Sequence, residues 1–150
     1  MRQYYQGKFQ PKNPSKYAGN PNEIVYRSAW ELKVMIGFDM HPSIVEWSSE
    51  ELIIPYFWEG DGKMHRYFPD FKIKAKTSSG VRTILIEVKP FAQTLEPVMK
   101  KGKKKKTFIN EVETYSKNQA KWAAAREYCL DRGWTFQVVT EKEIFKQKSW

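Results

Sequence analysis

The chain has 150 residues, of which 41% are apolar and 15% aromatic, enough for one hydrophobic core in one domain. Its 26 Lys and Arg against 17 Asp and Glu leave a net charge of +9, which points to a polyanionic partner, nucleic acid first and an anionic membrane surface second. A single cysteine, Cys129, excludes an internal disulfide and a redox pair; no run approaches the roughly 18 apolar residues of a membrane helix, and no apolar signal region follows Met1, so a reducing compartment without membrane attachment is expected.

Residues 1–22 read as a basic arm. Pro11, Pro14, Pro21, Gly7 and Gly19 break it, Arg2, Lys8, Lys12 and Lys16 charge it, and no acid precedes Glu23. Tyr4, Tyr5, Phe9 and Tyr17 interleave with the cations, which suits phosphate contact and base stacking as well as a segment wrapped on the core through its aromatics. Residues 23–150 then form one domain. The spacing predicts a helix over 27–38, with Ser28 as N-cap and Glu31 three positions on. Strands are expected at 44–47 and 52–58 with a turn at 48–51, and at 64–74 after a hairpin turn at 59–63. A further strand, 82–89, is apolar on both faces, as a central strand would be, and ends at Pro90. Residues 96–107 read as a lysine-rich loop. A long helix is expected from Phe108 to Asp131, with the apolar stripe Phe108, Val112, Tyr115, Gln119, Trp122 and Cys129, Ala123 and Leu130 beside it, and Gly133 after its end. A closing strand, 135–139, and a short helix, 141–146, complete the order α-β-β-β-β-α-β. The long helix makes a crossover, so the last strand can run parallel to its neighbour in a mixed α/β sheet.

Chemistry concentrates where two expected strands meet, at Pro69-Asp70 and at Glu87-Val88-Lys89. Two carboxylates at adjacent strand ends can hold Mg²⁺, which prefers oxygen ligands and keeps several waters; the Val88 backbone carbonyl is a third ligand candidate. Lys89 follows Glu87 by two residues and so shares its face. It is placed to orient an attacking water and to offset charge at a phosphorane. Glu31 is a fourth candidate, equally readable as a simple helix cap. His65 and His41 have no second histidine or cysteine at metal spacing, so zinc is not expected. His65 is an accessory candidate for phosphate contact. Lys100, Lys101, Lys103, Lys104, Lys105 and Lys106, with Lys8, Lys12 and Lys16 of the arm, are DNA-binding candidates, against the alternative that the run is a solvated loop.

On Glu31, Pro69-Asp70 and Glu87-Val88-Lys89 the chain resembles the PD-(D/E)XK nucleases, the restriction-endonuclease-like superfamily. Residues 26–31, 67–71, 87–90, 133–136 and 138–141 resemble TnsA-type transposon endonucleases, over about residues 24–142. As a whole the chain resembles the head completion nucleases of T-even-type tailed phages. The resemblance implies a restriction-endonuclease-like mixed sheet flanked by helices. It also implies Mg²⁺-dependent cleavage of double-stranded DNA, with Mn²⁺ as substitute, and Asp70, Glu87, Lys89 and Glu31 as catalytic residues. For phage proteins it implies work on packaged DNA in the host cytoplasm or in the virion, beside head, portal or neck proteins. A glutamine or lysine on the helix after the catalytic strand often faces the metal in this superfamily, which makes Gln119 an accessory candidate. Two other readings stay open: a non-catalytic DNA-binding virion assembly protein on the same fold, and a transposase or repair endonuclease subunit that needs a partner.

Overall fold

The computed structural model describes residues 6–146. Its centre is a four-stranded sheet of β3 (Ile44–Ser49), β6 (Phe71–Thr77), β7 (Gly80–Val88) and β8 (Thr135–Val139), in the order β3-β6-β7-β8. β6 is antiparallel to β3 and β7, and β8 is parallel to β7. The parallel pairing follows from the crossover through the long helix α2 (Lys105–Arg132), which returns the chain to the same end of the sheet. The mixed α/β sheet expected from the sequence is therefore present. So is the central position of β7, which is bonded on both edges.

Helix α1 (Ala29–Met40) packs Val34, Met35 and Phe38 on one face of the sheet, against Trp47, Phe71, Ile73 and Ile86. The Ser28 hydroxyl caps it by accepting from the Glu31 N–H at 3.1 Å. Short α3 (Glu141–Ile144) adds Ile144 to this layer. The opposite face is covered by α2, through Trp122, Ala125 and Cys129, and by a separate two-stranded ribbon of β4 (Ile54–Trp58) and β5 (Lys63–Tyr67). Ile54, Tyr56, Trp58 and Tyr67 of the ribbon close this second core around Leu85 of β7. At the far end of α2, Gly133 takes a left-handed φ of 70°, which lets the Trp134 N–H reach the Cys129 carbonyl at 2.8 Å.

Three local expectations change. The single strand over 64–74 is two strands, β5 and β6, because Pro69 cannot donate to a ladder and the chain changes partner there. Five strands therefore lie between α1 and α2 instead of four. Helix α2 begins at Lys105, so Lys105 and Lys106 belong to its first turn and not to a loop. Its inner stripe is Asn118, Trp122, Ala125 and Cys129; Val112 and Leu130 are exposed, at 42% and 80%. The expected stripe assumed burial along the whole helix, whereas nothing before Asn118 is buried.

The N-terminal segment wraps the core from Gly7 to Ala18, and Met1 to Tyr5 lie outside the described residues. Strand β1 (Gly7–Lys8) pairs antiparallel with β2 (Val25–Tyr26). Phe9 and Tyr17 set their rings edge-on against Trp47, at 5.8 and 4.8 Å between centroids. The buried Asp39 carboxylate accepts from the Lys12 and Asn13 N–H groups at 2.8 and 2.9 Å. Lys16 Nζ donates to the Asp39 and His41 carbonyls at the C-terminal end of α1, where helix carbonyls are otherwise unsatisfied. Among the described residues no helix is long and apolar enough to cross a membrane.

Candidate active site

Phe71 pairs with Ile86 in the antiparallel β6–β7 ladder. One step further along, the ladder sets Asp70 across from Glu87. Side chains alternate, so Glu87 shares the α2-facing side of β7 with Leu85, while Ile84, Ile86 and Val88 face α1. The Val88 N–H donates to Asp70 Oδ2 at 2.8 Å and locks that carboxylate against the β7 backbone. Lys89 Nζ stands 4.0 Å from Glu87 Oε2. The two acids and the lysine expected to act together are thus brought to one corner, at the end of β7 and the start of β6.

The corner is electrostatically frustrated. Glu87 is only 6% exposed, and its Oε1 has no hydrogen-bond partner. Burial and then the neighbouring Glu87 push the Asp70 carboxyl well above its ordinary range; the Val88 N–H opposes them, and Glu31 adds to them. Burial and then Glu87, which the hydroxyl faces, also raise the Tyr67 phenol. Like charges held together out of water are unfavourable unless a cation joins them. Among the described residues no three Asp, Glu, His or Cys side chains converge as a complete metal cage. A pair of carboxylates with one orphaned oxygen suits a hard cation that keeps most of its waters, which is the habit of Mg²⁺.

Glu31 lies in the first turn of α1 and accepts from the Ser28 hydroxyl at 3.3 Å. Its charge adds to the rise at Asp70, and burial followed by Glu50 raises its own carboxyl. Both the backbone N–H and the carboxylate of Glu31 thus bond the Ser28 hydroxyl, so the cap holds the acid at the start of α1.

Two charged residues near the corner were missed by sequence reading. Lys121 of α2, which reads as a solvent-face residue from its helical position, is half-buried there. Burial lowers its ammonium, Glu87 and Asp70 pull it up, and Lys89 and Lys117 push it down. Its Nζ lies 5.9 Å from the centre of the Tyr67 ring. The rotated stripe of α2 explains the miss, since Lys121 neighbours Asn118 and Trp122 on the inner face. Glu50, expected in a turn, ends up beside Asp70, with its N–H donating to the Asp70 carbonyl at 3.1 Å and its carboxylate ion-paired with Arg27. A left-handed φ of 55° at Glu50 is the only local signal, and a sequence does not display it.

Other expected site residues lie apart. His65 bonds Asp61 at 2.7 Å and stacks on Tyr56 at 5.3 Å, on the ribbon's inner side. Gln119 is half-buried in the middle of α2. Of the lysine-rich run, Lys103 is engaged, donating to the Val98 carbonyl at 2.8 Å and pairing with Glu111 at 3.0 Å. Lys100, Lys101, Lys104, Lys105 and Lys106 are exposed. In the arm, Lys8 pairs loosely with Glu23 at 3.7 Å, Lys12 is exposed, and Lys16 is occupied by the α1 carbonyls.

The family model of the TnsA-like endonuclease N-terminal region matches residues 41–141, a span that holds Asp70, Glu87, Lys89 and Lys121. A protein named head completion nuclease, from Enterobacteria phage T4, is 44% identical over 140 residues, covering 91% of this chain and 91% of its own length. No solved structure matches the chain significantly. On the acid pair, the lysine beside it and these two likenesses, the chain belongs to the TnsA-like endonuclease family.

Proposed function

We propose that this protein is a Mg²⁺-dependent DNA nuclease that hydrolyses phosphodiester bonds at the Asp70–Glu87–Lys89 corner. The observation that carries the reading is the buried like-charged pair, with one orphaned carboxylate oxygen and a lysine 4.0 Å away. Asp70, Glu87 and the Val88 carbonyl would hold the ion, with Glu31 adding charge from α1. Bound there, Mg²⁺ supplies charge neutralisation at the scissile phosphate and a lowered pKa for an attacking water. Lys89 orients that water and donates to the phosphate as charge develops. The water's oxygen bonds to phosphorus, the P–O3′ bond breaks, and the water's proton ends on O3′, leaving a 3′-hydroxyl and a 5′-phosphate end. Lys121 approaches the same phosphate from α2 as a second donor. Mn²⁺, with the same preference for oxygen ligands, is expected to substitute.

The exposed lysines of the 100–106 run and Lys8 and Lys12 of the arm hold double-stranded DNA by its phosphates, which positions the duplex without reading its sequence. The likeness to the T4 protein supports a part in head completion; to this we add action on packaged DNA, in the host cytoplasm or in the virion, near head, portal or neck proteins. Digestion of supercoiled plasmid and linear duplex with Mg²⁺ or EDTA tests the catalytic reading. Cutting by the wild type that is lost with EDTA and in Lys89→Ala is expected. Undiminished cutting by Lys89→Ala would overturn the residue assignment.

A further inference from the structure

Arg27 and Glu50 form an ion pair at the mouth of the acid corner. Arg27 sits between β2 and the Ser28 cap of α1, so its backbone is fixed on both sides. Its side chain is 55% exposed, yet the acids acting on it are Glu50, then Glu31, then Asp70. Through Glu50, whose N–H donates to the Asp70 carbonyl at 3.1 Å, this partly exposed cation is held beside the corner. Glu50 is tied to the site through its backbone bond to Asp70 and holds a left-handed conformation that favours glycine.

We propose that Arg27 is a substrate-phosphate ligand at the entrance of the site and that Glu50 is its positioning residue, holding the guanidinium until a DNA phosphate replaces the carboxylate. The inference rests on the phosphodiester-cleaving reading. A guanidinium matches a phosphate in the same two-pronged way as it matches a carboxylate, so the exchange needs no new geometry at Arg27. A strand lying across the corner then meets Arg27 on the α1 side and Lys89 with Lys121 on the α2 side, with the acids between them.

The rival explanation is a structural clip that joins the start of α1 to the end of β3. Charge reversal separates the two, because Arg27→Glu with Glu50→Arg rebuilds a clip but leaves the guanidinium on the wrong side. Binding to a duplex is measured in EDTA against salt concentration, beside Tm and Mg²⁺-dependent cleavage. The reversed pair is expected to melt like wild type, to lose about 0.9 from the slope of log K on log salt, the share of one phosphate, and to cleave at least tenfold more slowly. Arg27→Gln is expected to lose the same slope. Glu50→Gln is expected to tighten binding in EDTA more than Glu46→Gln, which removes an equal charge from a surface pair with Lys74. Wild-type slope and cleavage in the reversed pair, or an unchanged slope in Arg27→Gln, would overturn the proposal. Wild-type protein that never cuts under any condition would instead sink the nuclease reading, whatever the slopes show.

Discussion

At the Asp70–Glu87 corner, charges hang from elements that the core already fixes: β6 and β7 by their ladder, α2 by Trp122, Ala125 and Cys129, and α1 by Val34 and Phe38. From Lys100 to Lys106 the opposite holds. That segment leads into a helix with no side-chain cap and no acid in its first turn, and no residue of α2 is buried before Asn118. Lysines at a helix N-terminus oppose the helix dipole, so this end of α2 is charged against its own stability. Both regions carry charge that the fold leaves in excess, negative and buried in one case and, apart from Lys103 with its Glu111 partner, positive and exposed in the other. The buried set can fix the place of an ion to fractions of an ångström. On the proposed reading the exposed set gathers phosphates, over a surface that needs no exact register.

Removing the negative region should break chemistry and spare binding. Asp70→Ala and Glu87→Ala are each expected to lower cleavage by at least about a thousandfold, roughly 4 kcal/mol of barrier, while duplex binding in EDTA persists. Full cleavage by either variant would remove that residue from the ligand set. Removing the positive region should do the reverse. Glutamine at Lys100, Lys101, Lys104, Lys105 and Lys106 together is expected to lower affinity at moderate salt by about a hundredfold, and to flatten the salt slope by about 0.9 for each phosphate that is no longer neutralised. Cleavage at saturating protein and low salt should survive. Loss of cleavage under those conditions would show that the run contributes to the corner itself. Lys121→Ala sharpens the border between the regions, since Lys121 is a lysine of α2 that belongs to the buried corner. An expected loss of about tenfold in cleavage, with binding in EDTA within twofold of wild type, would place it with the acids. The converse would place it with the lysine-rich run.

Much of this division is readable from residues alone, and the failures share a cause. Asp70, Glu87 and Lys89 are legible because strand alternation and a strand end fix where they point. Glu31 is legible as far as its cap. The mixed sheet follows from one long helix between two strands. What sequence reading misses depends on rotation or on backbone conformation. A stripe drawn through Phe108, Val112 and Tyr115 assumes that α2 lies on the sheet along its full length. It lies there only from Asn118 onward, and the difference turns Lys121 inward and Leu130 out to solvent. Pro69 is a visible strand breaker, yet the aromatic run on either side, Tyr67-Phe68 and Phe71, reads as one strand. The arm reads equally as a phosphate-contacting segment and as one wrapped on the core; Phe9 and Tyr17 dock on Trp47 as the second reading has it, while Asp39 collects backbone N–H groups that no local pattern announces.

The smallest effect tests the cost of the corner to the fold. Asp70 is buried, its carboxyl is raised by burial and by Glu87, and no cation is bonded to the pair among protein groups closer than Lys89, 4.0 Å from Glu87. Asp70→Asn keeps an oxygen for the Val88 N–H and removes one of the two like charges. In metal-free protein this substitution is expected to raise Tm, because it removes a buried like charge that no protein cation neutralises at close range. The same variant should be as inactive as Asp70→Ala. Gain of stability with loss of activity is the signature of charge that is held against the fold for the sake of chemistry. A fall in Tm would mean that Lys89 and the Val88 N–H already satisfy the pair, and the argument that the corner awaits a cation would lose its physical basis.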